Sequence, residues 1–307
     1  MKKLSIVIPT YNRGGKIKTT LDSLKAQTFT DFEVIIVNDG STDNTREVLD
    51  NLSLQYAYAI QVIHQENLGR SGARNSGFAA ATAPIVVSFD DDMRLEPQCL
   101  EEHYKHHQAL PGSIQVGEVK EDPNLAETDI QRFLAHVRVG WLKVLHEAEM
   151  PMRRENTYIT SANFSISKLD FDRIGGFDPR LRAIVDYDLA MRATVLGIPI
   201  YYNKNAFAWH DDFISCRPYI LRRRQGTENE KLLMSLKPEL VSMFHRYKED
   251  SPAGIKLFIY SLLGNKLLVD SIDKYNFFQW LLPEKIRYKL YAAIITSLAK
   301  YFPERPI

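Results

Sequence analysis

The chain is predicted to form an α/β domain, a Rossmann-like and mostly parallel sheet flanked by helices, followed by a C-terminal helical region. Three observations predict it. Short β-branched runs alternate with helix-period segments in the order β-α-β-α-β-α-β over residues 4–89. Each run stops at turn-forming or polar residues. The last run, Pro84-Ile85-Val86-Val87-Ser88-Phe89, delivers three consecutive carboxylates, Asp90, Asp91 and Asp92, to a strand's carboxyl end, where open α/β sheets bind ligands.

The first strand is Leu4-Ser5-Ile6-Val7-Ile8-Pro9, whose Pro9 cannot donate to a ladder. Ile17 to Gln27 places Ile17, Leu21 and Leu24 on one helical face. Phe32 to Val37 is a second strand, closed by the turn chemistry of Asn38-Asp39-Gly40-Ser41. Thr42 to Leu52 is a helix with Asp43 or Asn44 as its cap. Ala59 to His64 is a strand, Gly72 to Ala81 a small-residue helix, and Ile85 to Phe89 the fourth strand.

Beyond this point the periodicity weakens. Strands are expected over Gly112–Val119, Tyr158–Ser167, Ile198–Asn203 and Ala206–His210. Helices are expected over Thr128–Ala148, Phe171–Gly175 and Asp186–Leu196, the last stopped by Gly197. From Ile214 the pattern is helical, interrupted near Pro252 and Pro283.

Composition narrows the class. The 307 residues are 45% hydrophobic and 25% charged, an ordinary globular balance. Cys99 and Cys216 lack metal-type spacing and fit a reducing compartment. Met1-Lys2-Lys3 leads straight into a strand, so no secretory leader is expected. No apolar run approaches the ~20 residues of a membrane span. The net charge of +1 hides an asymmetry: from Arg217 onward there are 16 Lys and Arg against 9 Asp and Glu. A basic C-terminal region beside an acidic body favours contact with an anionic acceptor, a lipid surface or another chain; a merely solvated helical surface is the alternative.

The acid triplet needs a reason, because adjacent carboxylates repel. Alternate residues on a strand share a face, so Asp90 and Asp92 can point the same way. A divalent cation carried by a diphosphate would offset their repulsion, since Mg²⁺ is typically held by one or two carboxylates plus phosphate oxygens. A solvated loop or a helix N-cap is the competing reading.

Several ordered motifs resemble family 2 glycosyltransferases with the GT-A fold. They are Ser5-Ile6-Val7-Ile8-Pro9-Thr10-Tyr11-Asn12, Val37-Asn38-Asp39-Gly40-Ser41-Thr42-Asp43, Asn67 through Gly77, Phe89-Asp90-Asp91-Asp92, and Gly175-Gly176-Phe177-Asp178 with Asp186-Tyr187-Asp188-Leu189. The resemblance covers roughly residues 1–230. It implies transfer of a sugar from a nucleotide donor with inversion at the anomeric carbon.

The resemblance also implies roles. Pro9, Thr10 and Tyr11 would flank a nucleobase, and Asp39 would accept the imide N–H of uracil or thymine; a strand-ending turn and an Asx-turn are the local alternatives. Asn67 and Arg74 would lie in the nucleotide pocket, where an arginine offers a fork of donors to phosphate. Asp90 would sit near the ribose with Asp91 beside it. Asp92 and His210 would bind Mn²⁺ or Mg²⁺. Asp186 would be the base, although Val185 stands where the family usually carries Glu. Residues 1–212 would form the catalytic domain, with 1–110 its nucleotide-binding half and 111–212 its acceptor half, and 213–307 the helical region.

The expected partners are a nucleotide-sugar donor and a glycan or lipid-linked acceptor, without nucleic acid. The family's processive polysaccharide synthases carry membrane helices that have no counterpart here. A cytoplasmic, non-processive enzyme is therefore expected, with membrane-surface contact or homodimerisation through the C-terminal region. Nucleotidyl transfer is a competing chemistry, with only Arg13 and Lys16 as basic candidates after strand one. A nucleotide-sugar-binding module without catalysis is the competing class.

Overall fold

The computed structural model describes residues 2–244 and 252–307. The helical pattern predicted through 245–251 lies outside the described residues. The first half follows the predicted alternation: β1 Leu4–Thr10, α1 Ile17–Lys25, β2 Phe32–Asp39, α2 Thr45–Leu52, β3 Ala59–Gln65, α3 Gly69–Ala80 and β4 Ile85–Phe89. There follow β5 Met93–Leu95, α4 Cys99–Ala109, β6 Ile114–Lys120, α5 Asp129–His146, β7 Asn163–Ser167, α6 Lys168–Ile174, α7 Val185–Val195 and β8 Ile200–His210.

One eight-stranded sheet runs in the order β3-β2-β1-β4-β7-β6-β8-β5. β1 pairs in parallel with β2 and β4, β2 with β3, and β6 with β8. The β4–β7, β6–β7 and β5–β8 pairs are antiparallel. Strand order reverses at β1, which lies between β2 and β4 and so makes a crevice at their carboxyl ends. The sheet is buried on both faces, which explains why β1 and β2 read as continuous apolar runs. Ile6, Ile8, Val34 and Ile36 pack with Ile17, Leu21 and Leu49 of α1 and α2. Val7, Ile35 and Val37 pack with Ala73 and Phe78 of α3. A Cβ on Gly77 would come within 2.4 Å of Val7 Cγ1, so glycine lets α3 lie against β1.

Several sequence expectations are corrected. The two short strands expected over 198–210 are one strand, β8. Gly117 faces Asn203 while Glu118 faces Phe207, so the polar Lys204-Asn205 marks a register irregularity and not a break. Only Asn163–Ser167 of the expected strand 158–167 is extended in the sheet; Tyr158 to Ala162 forms a loop. α6 begins at Lys168 because Ser167 Oγ accepts from Asp170 N at 3.0 Å, a side-chain cap. α3 begins at Gly69, whose φ of +74° suits glycine. α4 and β5 were not anticipated. α4 is disguised by polar residues that are buried in use: the His103 ring meets Ser165 Oγ and Asn163 Oδ1, each at 2.8 Å.

The C-terminal region comprises α8 Cys216–Leu236, α9 Pro238–Ser242, α10 Ile255–Leu263, α11 Lys266–Asp273, α12 Phe277–Leu281 and α13 Glu284–Thr296. It packs through a core of its own that includes Ile130 and Phe133 of α5. The Asp273 carboxylate accepts from the backbone N–H of Cys216 (2.7 Å) and Arg217 (3.0 Å), capping α8 from a distance. Lys237 Nζ lies 2.9 Å from Asp178 and 2.5 Å from Asp188. No described helix is long and apolar enough to cross a membrane.

Candidate active site

The crevice beyond β1 and β4 opens into a cavity of about 1330 Å³. Its wall includes Pro9, Thr10, Tyr11, Asp39, Asn67, Arg74, the three acids Asp90 to Asp92, Asp186 and His210. Every candidate residue predicted from sequence therefore reaches one space, although the set derives from seven separate segments.

Asp90 to Asp92 form the turn between β4 and β5. Asp92 and His210 then meet across the sheet, because Met93 of β5 pairs with His210 of β8. Asp90, Asp92 and His210 each offer an atom within 4.8 Å of the others. His210 Nε2 lies 3.3 Å from Asp92 Oδ1. Burial alone would depress the imidazole's pKa, but Asp92 overrides it and raises it. Burial would raise the Asp92 carboxyl; His210 and Arg13 hold it below the usual range.

The group fits a divalent cation on two counts. It joins carboxylate oxygens to an imidazole nitrogen, donors suited to Mg²⁺ or Mn²⁺ and to Mn²⁺ above all. Asp92 Oδ1 is also buried without a hydrogen-bond partner, a costly state that a ligand would relieve. Glu121 Oε1 stands 3.9 Å from His210 Nδ1 and is held by Arg138 at 3.2 Å, placing a carboxylate behind the imidazole.

The other two acids turn elsewhere. Asp91 Oδ2 accepts from Thr10 Oγ1 at 2.5 Å. Burial pushes the Asp91 carboxyl up to about 7, with Thr10 pulling against its two acidic neighbours. Asp90 pairs with Arg74, which is buried and leaves its Nε unpartnered. Asp39 Oδ1 accepts from Gln65 Nε2 (2.7 Å) and Leu68 N (2.8 Å). This fixes the carboxylate at the β2 terminus through the segment after β3, not through its own loop as an Asx-turn would, and leaves it on the cavity wall. Tyr11 is 46% exposed there.

Asp186 sits in the first turn of α7. Its Oδ2 accepts from Ser161 N at 3.0 Å, in the loop that was expected to be strand. Desolvation in the cavity raises its pKa, while Arg74 and the Ser161 N–H pull it back. The residue before α7, Ile184, has φ +56°, a left-handed conformation that costs a β-branched residue of order 1–3 kcal/mol. Buried Asn229 of α8 holds the approach to it: Asn229 Oδ1 accepts from Arg182 N (2.8 Å) and Ala183 N (3.1 Å).

Sequence reasoning missed these supports. Glu121, Ser161, Ile184 and Asn229 carry no motif, because their roles arise from contacts distant in the chain. It also missed Asp212 as a hub. Arg13 (3.0 Å), Lys16 (2.6 Å) and Arg222 (3.5 Å) all converge on Asp212, and Arg13 reaches Asp92 Oδ2 at 3.4 Å. Asp211 instead pairs with Arg94 at 2.9 Å. Of the three adjacent arginines, Arg222 and Arg223 line the cavity, whereas Arg224 turns to the carbonyls of Leu298 and Arg305.

The family description Glycosyl transferase family 2 matches residues 5–186, the stretch that carries every motif described above up to Asp186. The chain belongs to glycosyl transferase family 2. Among curated relatives, the uncharacterized glycosyltransferase YibD of Escherichia coli is 42% identical over 99 residues, 32% of this chain and 28% of that protein. A validoxylamine A glucosyltransferase of Streptomyces hygroscopicus is 29% identical over 234 residues, 66% of this chain and 54% of its own length. The chain thus spans about a third of the bacterial relatives with 42% identity. Among solved structures, the mannosyltransferase PcManGT from Pyrobaculum calidifontis, in complex with GDP-Man and Mn²⁺, superposes with a TM-score of 0.63 at 17% identity, covering 99% of this chain and 88% of that one. S. aureus TarS 1–349 gives 0.54 at 17% identity, covering 99% and 92%. These likenesses establish the GT-A-like fold of this family 2 member.

Proposed function

We propose that this family 2 protein transfers a sugar from a nucleoside-diphosphate sugar, UDP- or dTDP-linked, to an acceptor hydroxyl of a glycan or glycolipid precursor, with inversion in a single displacement. The observation that carries the reading is one cavity holding both the Asp90–Asp92–His210 group and a separate carboxylate, Asp186, restrained by a backbone N–H. Asp186 accepts the proton of the acceptor hydroxyl as that oxygen attacks the anomeric carbon. The nucleoside diphosphate leaves toward a wall carrying Arg13, Arg222 and Arg223, whose fixed charges meet the charge developing on it. Asp92 and His210, with Asp90 beside them, would hold Mn²⁺ or Mg²⁺, which supplies Lewis-acid stabilisation of the diphosphate oxygens. In this reading Tyr11 would stack on the base and Asp39 would accept its imide N–H, with Asn67 on the cavity wall and buried Arg74, paired with Asp90, beside the nucleotide. The names of the neighbours give donor classes for comparison: GDP-Man for PcManGT and UDP-GlcNAc for another TarS structure.

The test is a donor screen. The purified chain with Mn²⁺ should release nucleoside diphosphate from one sugar nucleotide, slowly by hydrolysis without acceptor, and EDTA should stop it. Release of pyrophosphate instead, or binding without turnover across a broad acceptor panel, would overturn the proposal.

Two further expectations concern the base. The acid limb of the transfer rate should lie above the ordinary Asp range near ~4, because a raised pKa keeps Asp186 protonated to higher pH and the rate must climb as pH passes through it. A pH–kcat profile reads this directly. Asn229→Ala removes the acceptor for two backbone donors, a loss of about 1–3 kcal/mol. It should lower kcat for transfer while leaving donor KM near wild type, since Asn229 touches the loop before the base and not the nucleotide wall.

A further inference from the structure

A second surface lies one helix away from the cavity. α10 carries Ile255, Phe258, Ile259 and Leu262 at i, i+3, i+4 and i+7, which places them on one face. All four are exposed, Ile255 at 79% and Phe258 at 64%, and α10 buries no residue. The helix is nonetheless fastened on its other side. Ser297 Oγ donates to Tyr260 O at 2.5 Å, and Arg305 donates to Ser261 Oγ at 2.9 Å. The apolar stripe is therefore the outside of an anchored helix.

The neighbouring elements extend the same character. Tyr275 and Trp280 are exposed, Trp280 at 84%, and exposed lysines follow at 266, 274, 285 and 289. Of the acids in the same stretch, Asp273 turns to the start of α8 and Asp270 is shared between Arg217 at 2.7 Å and Lys274 at 3.4 Å, while Glu284 stays exposed among the lysines. The outer charge is thus mainly positive.

We propose that this surface seats on an anionic lipid bilayer, with the α10 stripe at the headgroup–acyl boundary and the lysines against lipid phosphates. Charge decides between a bilayer and a second copy of the chain. A two-fold contact presents the same patch on both sides and would bring these lysines together, whereas anionic lipid complements them. Trp and Tyr are also the side chains enriched at membrane–water interfaces. Position adds a purpose that rests on the transferase reading. α10 packs on α13, whose Ala292 and Ile295 line the cavity, so a bilayer at α10 would hold a lipid-carried hydroxyl near the cavity mouth.

Vesicle flotation of the full chain tests the seat without any need for activity. The protein should float with phosphatidylcholine vesicles containing phosphatidylglycerol, and progressively less as salt rises. Phe258→Glu with Ile259→Glu should cut the floated fraction at least tenfold, with unchanged donor turnover in the absence of vesicles. Lys266→Gln and Lys285→Gln should each weaken binding about fivefold. Failure to float, equal flotation with phosphatidylcholine alone, or a Phe258→Glu chain that only changes from dimer to monomer in sedimentation would each overturn the proposal. If flotation holds and no donor is turned over, the lipid seat stands and the transferase reading falls.

Discussion

Asp186→Asn is expected to lower the transfer rate about 10²–10⁴-fold, the usual contribution of a positioned general base, and to leave donor affinity near wild type. The amide keeps the volume and can still accept from Ser161 N, so the α7 turn should survive. What disappears is the ability to take a proton at the atom facing the acceptor. The acid limb of the pH profile should vanish with it. Isothermal titration of the donor and single-turnover transfer separate the two effects. A variant that transfers at the wild-type rate would show that Asp186 is not the base.

The largest stability effect is expected at a buried ion pair far from the chemistry. Asp129 opens α5 and is almost fully buried; Arg287 of α13 meets it through Nε at 2.5 Å and a second nitrogen at 2.9 Å, and Tyr291 Oη donates at 2.8 Å. Arg287→Met leaves the carboxylate with Tyr291 and one more distant charge, Arg132 at 3.9 Å. Breaking a buried pair in this way costs about 3–5 kcal/mol, and the lower end applies because Tyr291 remains. The double change Arg287→Met with Asp129→Leu should recover much of the loss, since an apolar pair leaves no stranded charge. Urea denaturation of the three chains reads the cycle. Equal stability of wild type and Arg287→Met would show that the pair contributes nothing.

Much of the fold is legible in sequence wherever local pattern and tertiary burial agree. β1, β2, β4 and their crossover helices are such cases, because a parallel sheet covered on both faces demands the unbroken apolar runs that the eye finds. α4 was hidden for the opposite reason: His103 and His107 look solvent-facing yet are buried against β7, and only the β7 side chains explain them. The β8 irregularity was misread as a break since Lys204-Asn205 resembles a turn, while only the pairing with β6 shows that β8 carries extra residues between Asn203 and Phe207 and then continues. The site divides the same way. Asp92, His210 and Asp186 follow from motifs, whereas Asn229 and Glu121 act through contacts that no local window contains.

Lys237 gives these helices a further significance. Its single ammonium spans Asp178, ahead of the loop that leads to Asp186, and Asp188, within α7 itself, while Asn229 grips the stretch between them. A cut after residue 212 would take Lys237 from both carboxylates, leaving Asp178 to Arg180 and Asp188 to Arg192, and would release that stretch at once. The α/β portion and the helices behind it are therefore expected to stand or fall together, and trimming the chain to its nucleotide-binding architecture should yield an insoluble fragment in place of a minimal enzyme.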